Sequence, residues 1–207
     1  MYQPSLLDLE FPGASLGPLA GQVTRHPLSH RAWVDHLPGW VRGSDELLQV
    51  LLTDVPWRAE RRQMYDAEVD VPRLLCRFGP GAPLPHALLT EAREALTAHY
   101  AAELGEPFVT AGLCLYRSGR DSVAWHGDTQ GRSAHVDTMV AIVSFGAPRP
   151  LLLRRRGGGA SLRFPVGHGD LIVMGGSCQR TWEHAVPKTA RPVGPRVSVQ
   201  FRPIGVS

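Results

Sequence analysis

From Val109 to the last residues, short apolar runs alternate with turn-forming clusters, and this pattern sets the expected fold. The runs are Val109 to Tyr116, Val123 to Trp125, Met139 to Phe145, Leu151 to Leu153, Ser161 to Val166, Leu171 to Met174 and Val197 to Phe201. Ser118 to Asp121, Gly157 to Gly159 and Gly167 to Asp170 separate some of them. Glycine, serine and aspartate in such clusters supply the backbone freedom and local hydrogen bonds that tight turns need. Several short strands at near-regular spacing predict an all-β sandwich or barrel.

The first 108 residues read differently. Proline and glycine recur at Pro4, Pro12, Gly13, Gly17, Pro18, Gly21 and Pro27, which predicts an extended arm at the surface over residues 1–27. Arg31 to Asp35 is a candidate first strand, closed by Pro38-Gly39. Ser44 is placed to cap a helix: Asp45 and Glu46 put negative charge in the first turn, Leu47, Leu48, Leu51 and Leu52 form an apolar stripe, and Val55-Pro56 ends it. A second helix is predicted from His86 to about Glu103, with Leu89, Ala92, Leu96 and Tyr100 at three-to-four spacing. Residues 57–82 mix aromatic and charged side chains with no dominant period, so loops and short strands are expected there.

A chain of 207 residues can bury one substantial core, and one domain over residues 28–207 is expected. The net charge of +3 permits a polyanionic partner without requiring one. Of the 22 basic residues only Lys188 is lysine, and arginine suits bidentate recognition of carboxylate or phosphate. Cys76, Cys114 and Cys178 form no C-x-x-C pair, which argues against a disulfide framework and for a reducing cytoplasm. The first ten residues lack the basic start of a signal peptide, no apolar run is of membrane-spanning length, and a cytoplasmic monomer is expected.

Candidate chemistry begins at Trp125-His126-Gly127-Asp128. Side chains alternate along an extended strand, so this imidazole and carboxylate share a face and can offer two donors to one metal. A third donor has to come from a distant strand, and His184 in Trp182-Glu-His-Ala-Val-Pro187 is the candidate. Two histidines and a carboxylate leave coordination positions open, the arrangement of non-haem Fe(II) oxygenases. His168, in a Gly-rich turn, and His135, in a polar loop, are expected as ordinary surface residues. In Arg196-Val-Ser-Val-Gln-Phe-Arg202 the two arginines share a face, opposite Val197, Val199 and Phe201. Their Cα atoms would lie roughly 20 Å apart, so a small dianion reaches both only if the long side chains lean together. Inward arginines need anions, and a dicarboxylate beside the metal would be one; the alternative is an edge strand with solvated arginines.

Leu115-Tyr116-Arg-Ser-Gly119, Trp125-His126-Gly-Asp128, Val140 to Gly146, Gly169-Asp170 to Gly175, Trp182-Glu-His184 and Arg196 to Arg202, in this order and spacing, resemble the AlkB family of Fe(II)- and 2-oxoglutarate-dependent dioxygenases. The resemblance covers about residues 109–203 and implies a double-stranded β-helix, or jelly roll, with flanking helices and residues 28–108 as a substrate-recognition lid. It makes His126, Asp128 and His184 the catalytic iron ligands. It also implies that Tyr116 and Arg196 bind the far carboxylate of 2-oxoglutarate, and that Arg202 lies near its chelating end. Cys114 and Ser198 stand where the family usually has asparagines. Gln130 stands where DNA-repair members carry an acid that contacts the flipped base. Tyr65, seven residues before Pro72, is spaced as the aromatic finger of animal members that repair double-stranded DNA, with Arg73 a DNA contact and Phe78 a pocket wall. The implied activity is oxidative demethylation of N-alkylated bases, with DNA ahead of RNA as partner and iron, 2-oxoglutarate and oxygen as reactants. Arg149, Arg154, Arg155, Arg156 and Arg163 form a run without acids that can contact phosphate or decorate a solvated hairpin. A different target for the same chemistry, or a non-catalytic nucleic-acid-binding β-barrel, are the alternatives.

Overall fold

The computed structural model of the chain describes residues 13–64, 67–129 and 131–206. The described elements run β1 (Ser15–Leu16), β2 (Thr24–Pro27), β3 (Trp33–Leu37), β4 (Val41–Arg42), α1 (Asp45–Thr53), β5 (Arg58–Met64), β6 (Ala67–Phe78) and α2 (Ala87–Leu104). After α2 come β7 (Thr110–Tyr116), β8 (Val123–His126), β9 (Val140–Gly146), β10 (Leu151–Arg155), β11 (Ser161–Phe164), β12 (Leu171–Gly175), α3 (Cys178–Thr181), β13 (Trp182–Val186) and β14 (Arg196–Arg202). No described helix is long and apolar enough to cross a membrane.

Two sheets carry the architecture. The larger has the order β2-β3-β12-β9-β14-β7-β6-β5, and the smaller β11-β10-β13-β8. β14 lies at the middle of the larger sheet, antiparallel to both β7 and β9, and its alternation divides the core in two. Val197, Val199 and Phe201 pack with Leu47 and Leu51 of α1 and Leu89 and Leu96 of α2. Burial of such a side chain contributes roughly 1.5–3 kcal/mol, which is what holds the helices to the sheet. The opposite face supplies Cys114, Tyr116, Val140 and Ile142, which meet Leu153 and Val186 of the smaller sheet. The fold is mostly β, a jelly roll of two layers with helices on its outer face, and the layer between the sheets holds the site.

Helix α2 falls within a residue of its expected bounds because both ends are built for it. The Leu88 N–H donates to His86 Nδ1 at 3.1 Å, and Gly105 takes a left-handed conformation (φ 72°) that lets its N–H reach the Ala101 carbonyl. Ser44 precedes α1 but makes no cap hydrogen bond, because its hydroxyl is taken by His168 Nε2 at 2.7 Å. The Gly146 N–H donates to the other ring nitrogen of His168 at 2.9 Å. The expectation that His168 is an ordinary surface residue is therefore corrected: it is a half-buried pin between β9 and α1.

Residues 13–27, expected as an arm, are extended but bonded into the fold: β1 pairs with β4, β2 pairs with β3 at the sheet edge, and Leu19 is buried. The expectation for residues 57–82 is corrected more strongly. Among the described residues, β5 and β6 pair antiparallel, and β6 runs for 12 residues. Pro72, lacking an N–H, coincides with a register irregularity in the β5–β6 pairing, and pairing of β6 with β7 begins only at Leu74.

Candidate metal centre and co-substrate pocket

His126 ends β8 and His184 lies opposite it on β13, the two residues paired in register with ring centroids 4.2 Å apart. Asp128 sits just beyond the strand, where the chain turns and the Thr129 N–H reaches the Gly127 carbonyl at 2.8 Å. The three meet through that turn rather than through strand alternation alone. Gly127 is required there: a Cβ on it would lie 2.3 Å from the Gln179 carbonyl oxygen. The candidate donor atoms of His126, Asp128 and His184 all lie within 4.8 Å of one another.

The surroundings prepare these groups to hold a cation. The Ala124 carbonyl can only accept, so in the 2.9 Å contact His126 Nδ1 is the donor, and Nε2 is the ring nitrogen turned toward Asp128, 3.7 Å from its Oδ1. Burial, helped by His126, Arg202 and Arg73 and opposed by Asp128, pulls the His184 imidazole down to about 3, so it is neutral near pH 7. Burial alone would raise Asp128. Arg202, His184 and His126 outweigh it and hold the carboxyl below the usual carboxylate range. Arg202 Nε donates to Asp128 Oδ2 at 2.8 Å, and the Asp128 N–H donates to Gln179 Oε1 at 2.9 Å. Two imidazoles and one ionised carboxylate with unfilled positions around them fit a divalent transition metal.

Beside the triad, residues of β9, β14 and β7 line up in rows across the inner face. Gly146, Arg196 and Tyr116 form one row, Ser144, Ser198 and Cys114 the next, and Ile142, Gln200 and Gly112 the third. A cavity of about 70 Å³ is lined by Tyr116, Arg196, Ser198, Gln200 and Arg202 together with His126 and His184. Arg196 is 3% exposed, its Nε donates to Ser144 Oγ at 2.8 Å, and its Nη1 is buried without a partner among the described residues. No described carboxylate pairs with it. A buried guanidinium without an anion is costly, so this cavity fits a ligand that brings a carboxylate. Burial pushes the Tyr116 phenol up, keeping it a neutral hydrogen-bonding group beside that cation.

A second cavity of about 420 Å³ shares Arg73, Cys114, His126, Gln200 and Arg202 with the first and adds Phe78, Cys76 and Asp128. The structure thus places Arg73 beside the triad, where its Nη1 donates to the Ser122 carbonyl at 3.3 Å, and places Phe78 on the cavity wall while it also packs on the core. Tyr65 and Gln130 lie outside the described residues.

The arginine run is not one surface patch, which corrects that expectation. Arg149 is 2% exposed; its guanidinium donates to the carbonyls of Ser118, Asp121 and Pro187 and lies 5.7 Å from the Tyr116 ring. It clamps loops around Tyr116. Arg154 pairs with Glu183 and covers the Trp125 ring, while Arg155, Arg156 and Arg163 are exposed.

Three polar residues of the site escaped the sequence reading. Gln200 was within reach of it, since it shares parity with Arg196 and Arg202. Ser144 faces the same cavity layer on β9, but a lone serine in an apolar run carries no signal. Gln179 lies on the four-residue α3 and reaches Asp128 only through the tertiary fold.

Comparison with known proteins agrees with this geometry. The 2OG-Fe(II) oxygenase superfamily matches residues 79–202. Mouse alpha-ketoglutarate-dependent dioxygenase alkB homolog 3 is 31% identical over 193 residues, covering 81% of this chain and 64% of the mouse protein. Human DNA oxidative demethylase ALKBH2 is 27% identical over 180 residues, covering 78% of this chain and 69% of that protein. The solved structure of OsALKBH1 superposes with a TM-score of 0.59 at 13% identity, over 87% of this chain and all of that one, a likeness of fold. The chain spans just under two thirds of the length of its alkB homolog 3 relatives. With a family match over more than half its residues and these relatives, the chain belongs to the AlkB family within the 2OG-Fe(II) oxygenase superfamily.

Proposed function

We propose that this protein is an Fe(II)- and 2-oxoglutarate-dependent dioxygenase that demethylates N-alkylated bases in nucleic acid, with DNA the preferred target. The observation that carries the reading is the adjacency of two incomplete sites: a His-Asp-His donor set, and a buried arginine that no described carboxylate pairs with and that lines the same cavity.

His126 Nε2, Asp128 and His184 would hold the iron. Bound there, it supplies oxygen activation coupled to oxidative decarboxylation of 2-oxoglutarate to succinate and carbon dioxide, with the second oxygen atom going into a C–H bond of the N-alkyl group. The hydroxylated N-methyl group is a hemiaminal, which breaks its C–N bond to release formaldehyde and the unmodified base. The chain's own residues make this selective. Arg196 and Tyr116 bind the far carboxylate of 2-oxoglutarate and so set its orientation. Arg202, held by Asp128, presents positive charge at the chelating end.

The substrate side is the larger cavity, whose volume is within the roughly 300–1,000 Å³ of small-molecule pockets. Phe78 offers an aromatic wall for an extruded base, and Arg73 and Arg77 offer positive charge to a phosphate backbone. The name DNA oxidative demethylase belongs to the ALKBH2 relatives and supports DNA here. Three free cysteines suit a reducing, cytoplasmic setting, and a monomer suffices because one chain supplies every group named.

The test compares kcat/KM for formaldehyde release from matched methylated single-stranded DNA, double-stranded DNA and RNA. DNA is expected to lead. A higher value on RNA would transfer the assignment to RNA, and no release from any of them would remove nucleic acid as the substrate.

A further inference from the structure

Cys114 and Ser198 are too short to act as the asparagines that the family resemblance leads one to expect there, yet the space between them is filled by a carboxamide. Gln200, 8% exposed, lies one row along β14 and reaches back. Its Nε2 lies 2.6 Å from Ser198 Oγ and 3.2 Å from the Ser198 carbonyl, and its Oε1 lies 3.7 Å from Cys114 Sγ. The backbone carbonyl can only accept, which fixes the amide nitrogen at the Ser198 end. Both N–H bonds of Gln200 are thus spent on Ser198. Ser198 Oγ accepts one of them, and no described acceptor takes its own proton. A buried hydroxyl with an unspent donor beside the Arg196 cavity is set up to donate to an incoming anion. Gly112 makes room for this: a Cβ there would stand 3.2 Å from Gln200 Oε1 and 2.8 Å from Arg202 Nη1.

We infer that Gln200 is a positioning residue for 2-oxoglutarate: it turns Ser198 Oγ into a fixed donor for the co-substrate and so replaces, from the neighbouring row, the amides absent at positions 114 and 198. The inference rests on the dioxygenase reading above.

The test is anaerobic calorimetric titration of 2-oxoglutarate into Fe(II)-loaded wild type, Q200L, S198A and the double variant, with bound iron and the thermal midpoint of each measured alongside. Q200L and S198A are each expected to bind about tenfold more weakly, the worth of one hydrogen bond to a charged group. The double variant is expected to bind no more weakly than the worse single one, because Gln200 acts through Ser198. Bound iron stays at the wild-type level, and in turnover KM for 2-oxoglutarate rises while kcat stays within about twofold. Wild-type affinity in Q200L, or losses that multiply in the double variant, overturn the inference. If Q200L does not fold, Q200M keeps the length of the side chain but has no N–H to donate to Ser198; wild-type affinity in Q200M overturns the inference equally. Failure of the wild type itself to bind 2-oxoglutarate takes down the dioxygenase reading and this inference together, whereas an unaffected Q200L on a binding wild type removes the inference alone.

Discussion

The inner face of β7, β14 and β9 and the hairpin β5–β6 stand side by side in one sheet and are held in opposite ways. β14 is bonded on both edges, so Arg196, Ser198 and Gln200 each have a fixed neighbour to either side. β5 is the edge of the sheet, and residues of β6 before Leu74 have β5 as their partner strand, with one further backbone bond from the Ser122 N–H to the Pro72 carbonyl at 2.8 Å. The groups proposed for the co-substrate rest on the first kind of element; of the metal donors, His184 lies on β13, bonded on both sides, while His126 ends the edge strand β8 and Asp128 is fixed just beyond it by Arg202 and Gln179. Those proposed for the nucleic acid lie on β6, Arg73 in the stretch before Leu74 and Arg77 and Phe78 where the strand pairs with β7. Reaction chemistry tolerates little displacement, and a doubly bonded central strand gives little. Substrate choice can change on an edge hairpin without disturbing the metal.

The sharpest break to attempt is at the triad. H184A should cut 2-oxoglutarate turnover by more than about a hundredfold, beyond what loss of an outer-sphere partner causes, and metal analysis should show the iron gone. R196A comes next. It removes a charged contact, so KM for 2-oxoglutarate should rise on the order of a hundredfold while bound iron is retained. Q179L leaves the Asp128 N–H without its acceptor and should weaken iron binding about tenfold, read by titrating Fe(II) against activity. The smallest effect is expected at the hairpin. R73A should lower kcat/KM for methylated oligonucleotides roughly threefold to tenfold and reduce the salt slope of DNA binding by about one. Arg73 lines both cavities, so a large rise in the 2-oxoglutarate KM of R73A would show that the two regions are not separable.

The same contrast explains what could be read from the sequence. Elements that bury one face announce themselves by period, and α2, β7, β9, β12 and β14 lie within a residue or two of the apolar patterns that predict them. The hairpin had no such pattern: Arg58, Glu60 and Arg61 put polar residues at positions of both parities, so its strands are set by pairing to a neighbour, which no local window contains. Within the site, His126, Asp128, Arg196 and Arg202 were legible from spacing. Gln179 and Arg149 were not, since one serves Asp128 from a short helix 51 residues on and the other is buried by three carbonyls from distant loops. His168 was misjudged for the same reason, its partners Ser44 and Gly146 being far away in sequence.

The most direct test of the proposed nucleic-acid demethylase activity is a product balance. Wild-type protein with Fe(II), oxygen and 2-oxoglutarate should yield one succinate and one formaldehyde for each methyl group lost from a methylated oligonucleotide, with neither above background in H184A or with excess chelator. Formaldehyde release that persists under chelation, or succinate formed with no formaldehyde from any methylated DNA or RNA, would contradict it.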